Sequence, residues 1–218
     1  MSLWVKICAN TSLEDAMLAA DAGADAVGFV FAPSPRRVTV DRVASIVPGL
    51  PKLVEKIGVF VDASVQEIAA AVQACGLTGA QLHSAAGADA PARLRVEFGP
   101  GLRILRVVHF GVEAAVLAAA YAADPNVDAV LVDSRTATAV GGTGIAFDWN
   151  EARRTVFGDG GARMVAAGGL TPENVAEAIE TLRPWGVDVA SGVEAAPGKK
   201  DPAKVRAFVE RVRRADHS

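Results

Sequence analysis

Two side chains that can exchange protons stand at the ends of two apolar runs typical of buried strands. Cys8 closes the run that begins at Leu3, and Asp133 directly follows residues 130–132. A cysteine in this position can act as a base or nucleophile, although a buried cysteine also occurs simply as a small apolar residue. A partly desolvated carboxylate can hold a proton near neutral pH. If both strands end at one edge of a sheet, the pair predicts proton transfer rather than redox or metal chemistry.

Small residues follow the last two predicted strands and indicate a ligand that carries a phosphate. Gly168-Gly169 follows the run 163–167, and Ser191-Gly192 follows the run 187–190. Glycine lets backbone N–H groups approach phosphate oxygens, and the turns after strands seven and eight form a recurrent phosphate site in α/β barrels. The alternative is that these glycines only make tight turns. We favour phosphate because the two turns occur at the two expected strands.

Further polar residues follow other predicted strands and would line the same rim. Arg36 lies behind two prolines, where a guanidinium can bind a carboxylate through two N–H groups; the alternative role, a surface salt bridge, we assign to Arg37. Gln81 and His83 follow the fourth strand, although a single histidine is weak evidence. The longest interval between strand starts, 35 residues, is typical of a functional loop and contains Gly141-Gly142-Thr143-Gly144.

These residues need a scaffold that brings strand ends together, and the alternation of apolar runs predicts one. Strand candidates recur every 23 to 35 residues, each followed by an alanine-rich amphipathic stretch, which indicates eight βα units. We predict one α/β domain, residues 1–218, folded as a (β/α)8 TIM barrel. A doubly wound open sheet is the alternative, but it would more often show a dinucleotide fingerprint after the first strand. The predicted strands begin near Leu3, Ala26, Val54, Gly79, Arg103, Asp128, Arg163 and Gly186.

Three predicted helices carry sequence signals for their starts. Ser64 with Glu67 forms a capping box, and Gly76 supplies a stop. Thr171-Pro172 and Asp201-Pro202 each place an N-cap residue before a proline at the first helical position. These signals support the count of βα units.

Composition excludes several classes of partner. The chain has 22 Lys+Arg against 25 Asp+Glu, so a net charge of −3 offers no basic face for nucleic acid or anionic lipid. No apolar run has the length of a signal peptide or a membrane span, and the cytoplasm is the expected compartment. Cys8 and Cys75 lie in unlike contexts, and no Cys/His cluster predicts a metal site. Cys75, which ends a predicted helix, is expected to be structural.

The chain resembles the phosphoribosylanthranilate isomerases of tryptophan biosynthesis over essentially its whole length. The similarity is carried in order by several short motifs, which together are highly specific. They are Val5-Lys6-Ile7-Cys8, Gly23-Ala24-Asp25-Ala26-Val27-Gly28-Phe29-Val30-Phe31, Ser34-Pro35-Arg36, Gly58-Val59-Phe60-Val61, Gln81-Leu82-His83, Val132-Asp133-Ser134, Gly141-Gly142-Thr143-Gly144, Phe147-Asp148-Trp149, Ala167-Gly168-Gly169-Leu170, Ser191-Gly192-Val193-Glu194 and Pro197-Gly198-Lys199-Lys200-Asp201.

The resemblance implies a cofactor-free Amadori rearrangement of a phosphosugar that carries an anthranilate group. It implies that Asp133 is the general acid on the ribose ring oxygen and that Cys8, as thiolate, is the general base at the second sugar carbon. It further implies that Arg36 binds the anthranilate carboxylate. The substrate-binding residues expected besides Arg36 are Gln81, His83, Gly142, Gly144, Gly168, Gly169, Ser191 and Gly192. A monomer and a homodimer both suit this fold.

The sequence departs from the family pattern at a few positions. Ala9 and Ser84 stand where the family usually has glycine, and Ile145-Ala146 replaces a more common Lys-Thr pair. The expected acid and base are unchanged. If the backbone at Ala9 needs a positive φ, the Cys8 loop is strained, which would affect the rate rather than the identity of the reaction.

Other functions remain open at this point. Related sugar-phosphate barrels are indole-glycerol-phosphate synthase, tryptophan synthase α and the histidine-pathway isomerase. Indole-glycerol-phosphate synthase would need a catalytic lysine and glutamates on the rim. The histidine-pathway isomerase normally has an aspartate at the position of Cys8. A non-catalytic phosphosugar-binding barrel is a different class, and the retention of both proton-transfer groups argues against it.

Overall fold

The protein is a closed barrel of eight parallel strands surrounded by helices. A computed structural model describes residues 2–83, 87–134, 148–158 and 161–216. Each strand pairs with the next in the chain, and β1 pairs with β8 to close the barrel. The strands are β1 Trp4–Ile7, β2 Ala26–Val30, β3 Glu55–Phe60, β4 Gly79–Leu82, β5 Arg103–His109, β6 Ala129–Asp133, β7 Met164–Ala167 and β8 Gly186–Val189. The predicted (β/α)8 barrel is confirmed, and every predicted strand start is correct to within one residue.

Helices alternate with these strands along the chain. They are α1 Leu13–Asp21, α2 Val40–Ile46, α3 Val65–Cys75, α4 Ala90–Phe98, α5 Ala114–Ala123, α6 Trp149–Ala152, α7 Val175–Leu182 and α8 Pro202–Ala215. A π-helical turn, Arg153–Phe157, continues α6. A 3₁₀ turn, Ser191–Val193, follows β8 and leads into a small antiparallel hairpin of β9 Glu194–Ala196 and β10 Lys199–Lys200. No helix in the described part of the chain is long and apolar enough to cross a bilayer.

Alternation along each strand divides the core into two layers. In β1, Val5 and Ile7 belong to the large cluster between the strands and the helices. Trp4 belongs to a second cluster with residues such as Leu105 and Leu131. Because side chains alternate faces along a strand, Lys6 and Cys8 share the inner face with Trp4. This arrangement brings the thiol to the C-terminal rim and a lysine just below it.

The cap predictions are confirmed for two helices and wrong for one. Ser64 and Glu67 form the expected capping box of α3, and Asp201 accepts N–H bonds from Ala203 and Lys204 at the start of α8. The α7 helix begins at Val175, not at Pro172. The preceding residues form a turn, in which the Asn174 side chain accepts from the Thr171 N–H at 2.8 Å and donates to the Gly169 carbonyl at 2.9 Å.

Candidate active site

The thiol of Cys8 lies at the inner rim, directly after β1. The residue is 5% exposed, and its N–H donates to the Val189 carbonyl of β8 at 2.8 Å. The next turn is fixed by Asn10, which is fully buried and whose side chain donates to the carbonyls of Ile7 and Gly28. The expected strain is present, because Ala9 has a φ of +62°. A β-carbon is disfavoured in that conformation, so the Cys8 loop is held in a state that glycine would adopt more easily.

A buried charge network lies beside Cys8 inside the barrel. Lys6 is 0% exposed, and its Nζ donates to Asp188 Oδ1 and to Gln81 Oε1, each at 2.9 Å. Burial lowers the pKa of Lys6, but the Asp188 carboxylate raises it, as does Cys8 when it is ionised, and the net direction is upward. The ammonium therefore stays charged inside the barrel.

Burial sets the protonation state of the Cys8 thiol. It raises the pKa of Cys8 above the ordinary cysteine value, because a thiolate is poorly solvated there. The charge of Lys6 opposes this shift, the carboxylate of Asp188 adds to it, and Lys200 opposes it more weakly. The neutral thiol is thus the main form at neutral pH, and the nearby cations limit the cost of ionising it.

The carboxylate of Asp133 occupies the predicted position at the end of β6. The residue is 5% exposed, pairs in register with His109 of β5 and Ala167 of β7, and accepts the Phe110 N–H at its backbone carbonyl. Gly168 follows β7 with a φ of +82°. A β-carbon at Gly168 would lie only 2.4 Å from Asp133 Oδ1. This glycine therefore leaves the space that the carboxylate occupies.

Arg36 binds a carboxylate of the protein itself. Its Nε donates to Glu194 Oε1 at 2.8 Å, and its Nη2 donates to Glu194 Oε2 at 2.7 Å. The Arg36 side chain is 22% exposed, while that of Glu194 is 4% exposed. Arg36 thus forms an ion pair within the protein, while the salt bridge expected of Arg37 stays a prediction. Glu194 fills one edge of the guanidinium, and Nη1 has no hydrogen-bond partner among the described residues.

The two glycine turns lie against each other. A β-carbon at Gly192 would lie 1.9 Å from the Leu170 carbonyl oxygen, so the turn after β8 packs directly on the turn after β7. Gly169 has a φ of +65°, and Ser191 begins the 3₁₀ turn that follows β8. The fold also brings a cation here, because Lys200 Nζ donates to the Ala190 carbonyl at 3.2 Å. The turns are adjacent, as a shared anion cradle requires.

The remaining predicted residues are distributed differently. Gln81 is 4% exposed and accepts from Lys6, so its side chain belongs to the interior network. His83 follows β4, and its ring centroid lies 5.6 Å from that of His109. Gly142 and Gly144 lie outside the described residues. Within the described ranges, no group of three or more His, Cys, Asp or Glu side chains forms a possible metal site.

Sequence reasoning missed Lys6, Asp188, Glu194 and Lys200 as members of the site. A signal existed for the first two, because each is a charged residue within an apolar strand. A charged side chain in such a strand must either reach an end of the barrel or find a partner inside it. Glu194 and Lys200 had no such signal, because the hairpin that buries them is not evident from the local pattern.

Comparisons with known proteins show which family the chain resembles. The sequence profile described as N-(5'phosphoribosyl)anthranilate (PRA) isomerase matches residues 5–211. An N-(5'-phosphoribosyl)anthranilate isomerase of Pelobacter propionicus is 44% identical over 212 residues, which cover 94% of this chain and 93% of the relative.

Solved structures with the same name share the fold. The phosphoribosyl anthranilate isomerase of Thermotoga maritima superposes with a TM-score of 0.83 at 35% identity, over 96% of this chain and 98% of that chain. A phosphoribosyl anthranilate isomerase in complex with reduced 1-(o-carboxyphenylamino)-1-deoxyribulose 5-phosphate gives a TM-score of 0.80 at 32% identity, with the same coverage.

Proposed function

Because the chain belongs to the N-(5'-phosphoribosyl)anthranilate isomerase family and is an isomerase, we propose that Cys8 and Asp133 carry out its proton transfers on phosphoribosylanthranilate. The product would be 1-(2-carboxyphenylamino)-1-deoxyribulose 5-phosphate, an intermediate of tryptophan biosynthesis. The observation that carries the proposal is the position of a buried thiol after β1 and a buried carboxylate at the end of β6, on one barrel rim.

The reaction begins at the ribose ring oxygen. Asp133 donates a proton to that oxygen while the bond between it and the first sugar carbon breaks. The nitrogen lone pair then forms a C=N bond, which leaves an open-chain iminium. Asp133 is assigned this step because its carboxyl group is buried at the C-terminal end of β6, on the rim where the substrate would lie.

Cys8 then acts on the second sugar carbon. The iminium acidifies the proton there, and the thiolate removes it to give an enolamine. The enolamine tautomerises to the ketone as its first carbon gains a proton and the hydroxyl on its second carbon loses one. The raised pKa of Cys8 makes the thiolate scarce at neutral pH but also makes it a stronger base.

Binding groups lie on both sides of these two residues. The free edge of the Arg36 guanidinium would take the anthranilate carboxylate, with Glu194 holding the other edge. The backbone around Gly168, Gly169, Ser191 and Gly192 would hold the phosphate. We also propose that residues 1–218 act as one barrel domain. A monomer and a homodimer both remain compatible with this assignment.

A turnover assay tests the proposal. The purified protein is mixed with freshly made phosphoribosylanthranilate, and the loss of anthranilate fluorescence is followed with chromatographic identification of the ketose. Conversion at a rate proportional to protein concentration supports the function. Binding of the substrate without conversion would instead indicate a non-catalytic phosphosugar-binding barrel.

A further inference from the structure

The only charged side chain of β1 is buried directly below the proposed base. Lys6 is 0% exposed, and strand alternation places it on the inner face between Trp4 and Cys8. An ammonium group in such a position is costly unless it is paired and hydrogen-bonded. A methionine would fill similar space without that cost, so the charge needs an explanation.

Two other strands hold the ammonium group in place. Lys6 Nζ donates to Asp188 Oδ1 of β8 and to Gln81 Oε1 of β4, each at 2.9 Å. An ammonium has three N–H donors, so these bonds use two of them. The lysine side chain otherwise has several rotatable bonds, and anchoring to two strands fixes the position of its charge.

The side chains of Lys6 and Cys8 lie close to each other on the inner face of the barrel. A β-carbon at Gly28 would lie 2.7 Å from Cys8 Sγ and 3.0 Å from Lys6 Cε, so both side chains flank the same bare backbone position of β2. At this separation the ammonium charge of Lys6 favours the ionised form of Cys8. The lysine thus lies within reach of the thiol while it remains bound to Asp188 and Gln81.

We propose that Lys6 is a positioning residue that supplies the fixed counter-cation of the Cys8 thiolate, and that Asp188 and Gln81 hold its ammonium in place. The inference rests on the proposed function only in assuming that Cys8 works as a thiolate. Burial alone would leave very little of Cys8 as thiolate at neutral pH. A fixed ammonium beside the sulfur stabilises the thiolate and so increases the ionised fraction. The reaction needs no proton from Lys6.

Among the described residues, four charged groups face Cys8, and their charges act on its ionisation in opposite directions. Lys6 of β1, Lys200 of β10 and Arg36 of the loop after β2 favour the thiolate, while Asp188 of β8 disfavours it. Removing Lys6 should therefore raise the pH at which the thiol ionises. Removing the charge of Asp188 should lower it, because Lys6 keeps its bond to Gln81.

The test measures the thiol directly rather than through turnover. In a Cys75→Ala background Cys8 is the sole cysteine, since the chain has two, and its ionisation is followed by ultraviolet thiolate absorbance against a Cys8→Ala/Cys75→Ala baseline. We expect Lys6→Met to raise the midpoint by about one pH unit or more, a roughly tenfold loss of thiolate at neutral pH. Turnover number should fall about tenfold, with less change in KM.

Two variants serve as controls. Lys56→Met removes another buried strand lysine, whose Nζ donates to the Pro51 carbonyl, and it should not move the midpoint. Asp188→Asn should lower the midpoint. If Lys6→Met does not fold, the double variant Lys6→Met/Asp188→Asn removes both charges and is compared with Asp188→Asn alone. The midpoint of Cys8 ionisation should then be higher in the double variant than in Asp188→Asn.

The outcomes are distinct. An unchanged midpoint in Lys6→Met or in the double variant, with only a loss of thermal stability, would overturn the inference and leave Lys6 as a structural charge. Failure of the proposed function is recognised separately, because an active Cys8→Ala enzyme would refute the base assignment without moving any of these midpoints.

Discussion

The carboxylate of Asp133 lies against the backbone of Gly168. A β-carbon at this glycine would fall 2.4 Å from Asp133 Oδ1 and 2.1 Å from Ser134 Oγ, distances that no structure accommodates without movement. The turn after β7 therefore limits where the carboxylate of the proposed acid can lie. The same turn forms part of the proposed phosphate cradle.

The first prediction follows from this contact. Gly168→Ala should displace the Asp133 carboxylate and also strain a backbone with a φ of +82°. Because a displacement of about 1 Å in an active site can cost about 10²-fold, we expect turnover to fall by one to two orders of magnitude. Steady-state kinetics measure the effect. Gly101→Ala is the matched control, because its β-carbon would meet nothing within 4 Å; equal losses in both variants would contradict the account.

The second prediction concerns the ionisation of Cys8. Since burial raises its pKa, Cys8 should remain mostly thiol at about pH 8.5, where an ordinary cysteine is half ionised. Lys200 favours the thiolate, so Lys200→Met should move the midpoint to still higher pH. Ultraviolet titration in a Cys75→Ala background measures both. A midpoint below the ordinary value in the wild-type site would show that the surrounding cations outweigh burial.

The third prediction concerns Arg36. Arg36→Ala should raise KM far more than it lowers the turnover number, because a carboxylate contact stabilises the bound substrate and the transition state alike. Glu194→Gln should have a smaller effect in the same direction, since the amide holds the guanidinium less firmly. A large loss of turnover at unchanged KM in Arg36→Ala would argue against the binding role.

The fourth prediction concerns the phosphate cradle. Inorganic phosphate should inhibit competitively, and crystals grown with sulfate should show the anion between the turn at Gly168 and Gly169 and the turn at Ser191 and Gly192. Gly169→Val should impair substrate binding more than Lys199→Ala, which removes an exposed cation from the nearby hairpin. Absence of both inhibition and a bound anion would remove the support for phosphate at this rim.

The sequence was sufficient to predict the barrel because both of its signals are local. Apolar runs at regular intervals mark strands, and caps such as Ser64 and Asp201 mark helix starts. The start of α7 was wrong because the Asn174 side chain binds back to Thr171 and Gly169, and so forms a separate turn that no local propensity indicates.

The site was predictable only in part, for a related reason. Cys8, Asp133 and Gly168 follow strands, and their positions depend only on strand ends. The network of Lys6, Asp188 and Gln81 joins three strands that are far apart in the chain, and the pair of Arg36 with Glu194 links the loop after β2 to a hairpin after β8. Such contacts depend on barrel closure and on register, which local patterns do not specify.

The most direct test of the account compares the turnover of Cys8→Ala with that of Cys75→Ala, the other buried cysteine of the chain. The conversion of phosphoribosylanthranilate is followed by fluorescence at saturating substrate. For the proposed acid, Asp133→Asn is compared in the same way with Asp62→Asn, which changes an exposed aspartate. We predict that Cys8→Ala and Asp133→Asn each lose about 10²–10⁴-fold in turnover while they remain folded, and that Cys75→Ala and Asp62→Asn stay near wild type. Turnover of Cys8→Ala within a few fold of wild type would contradict the assignment of Cys8 as the base.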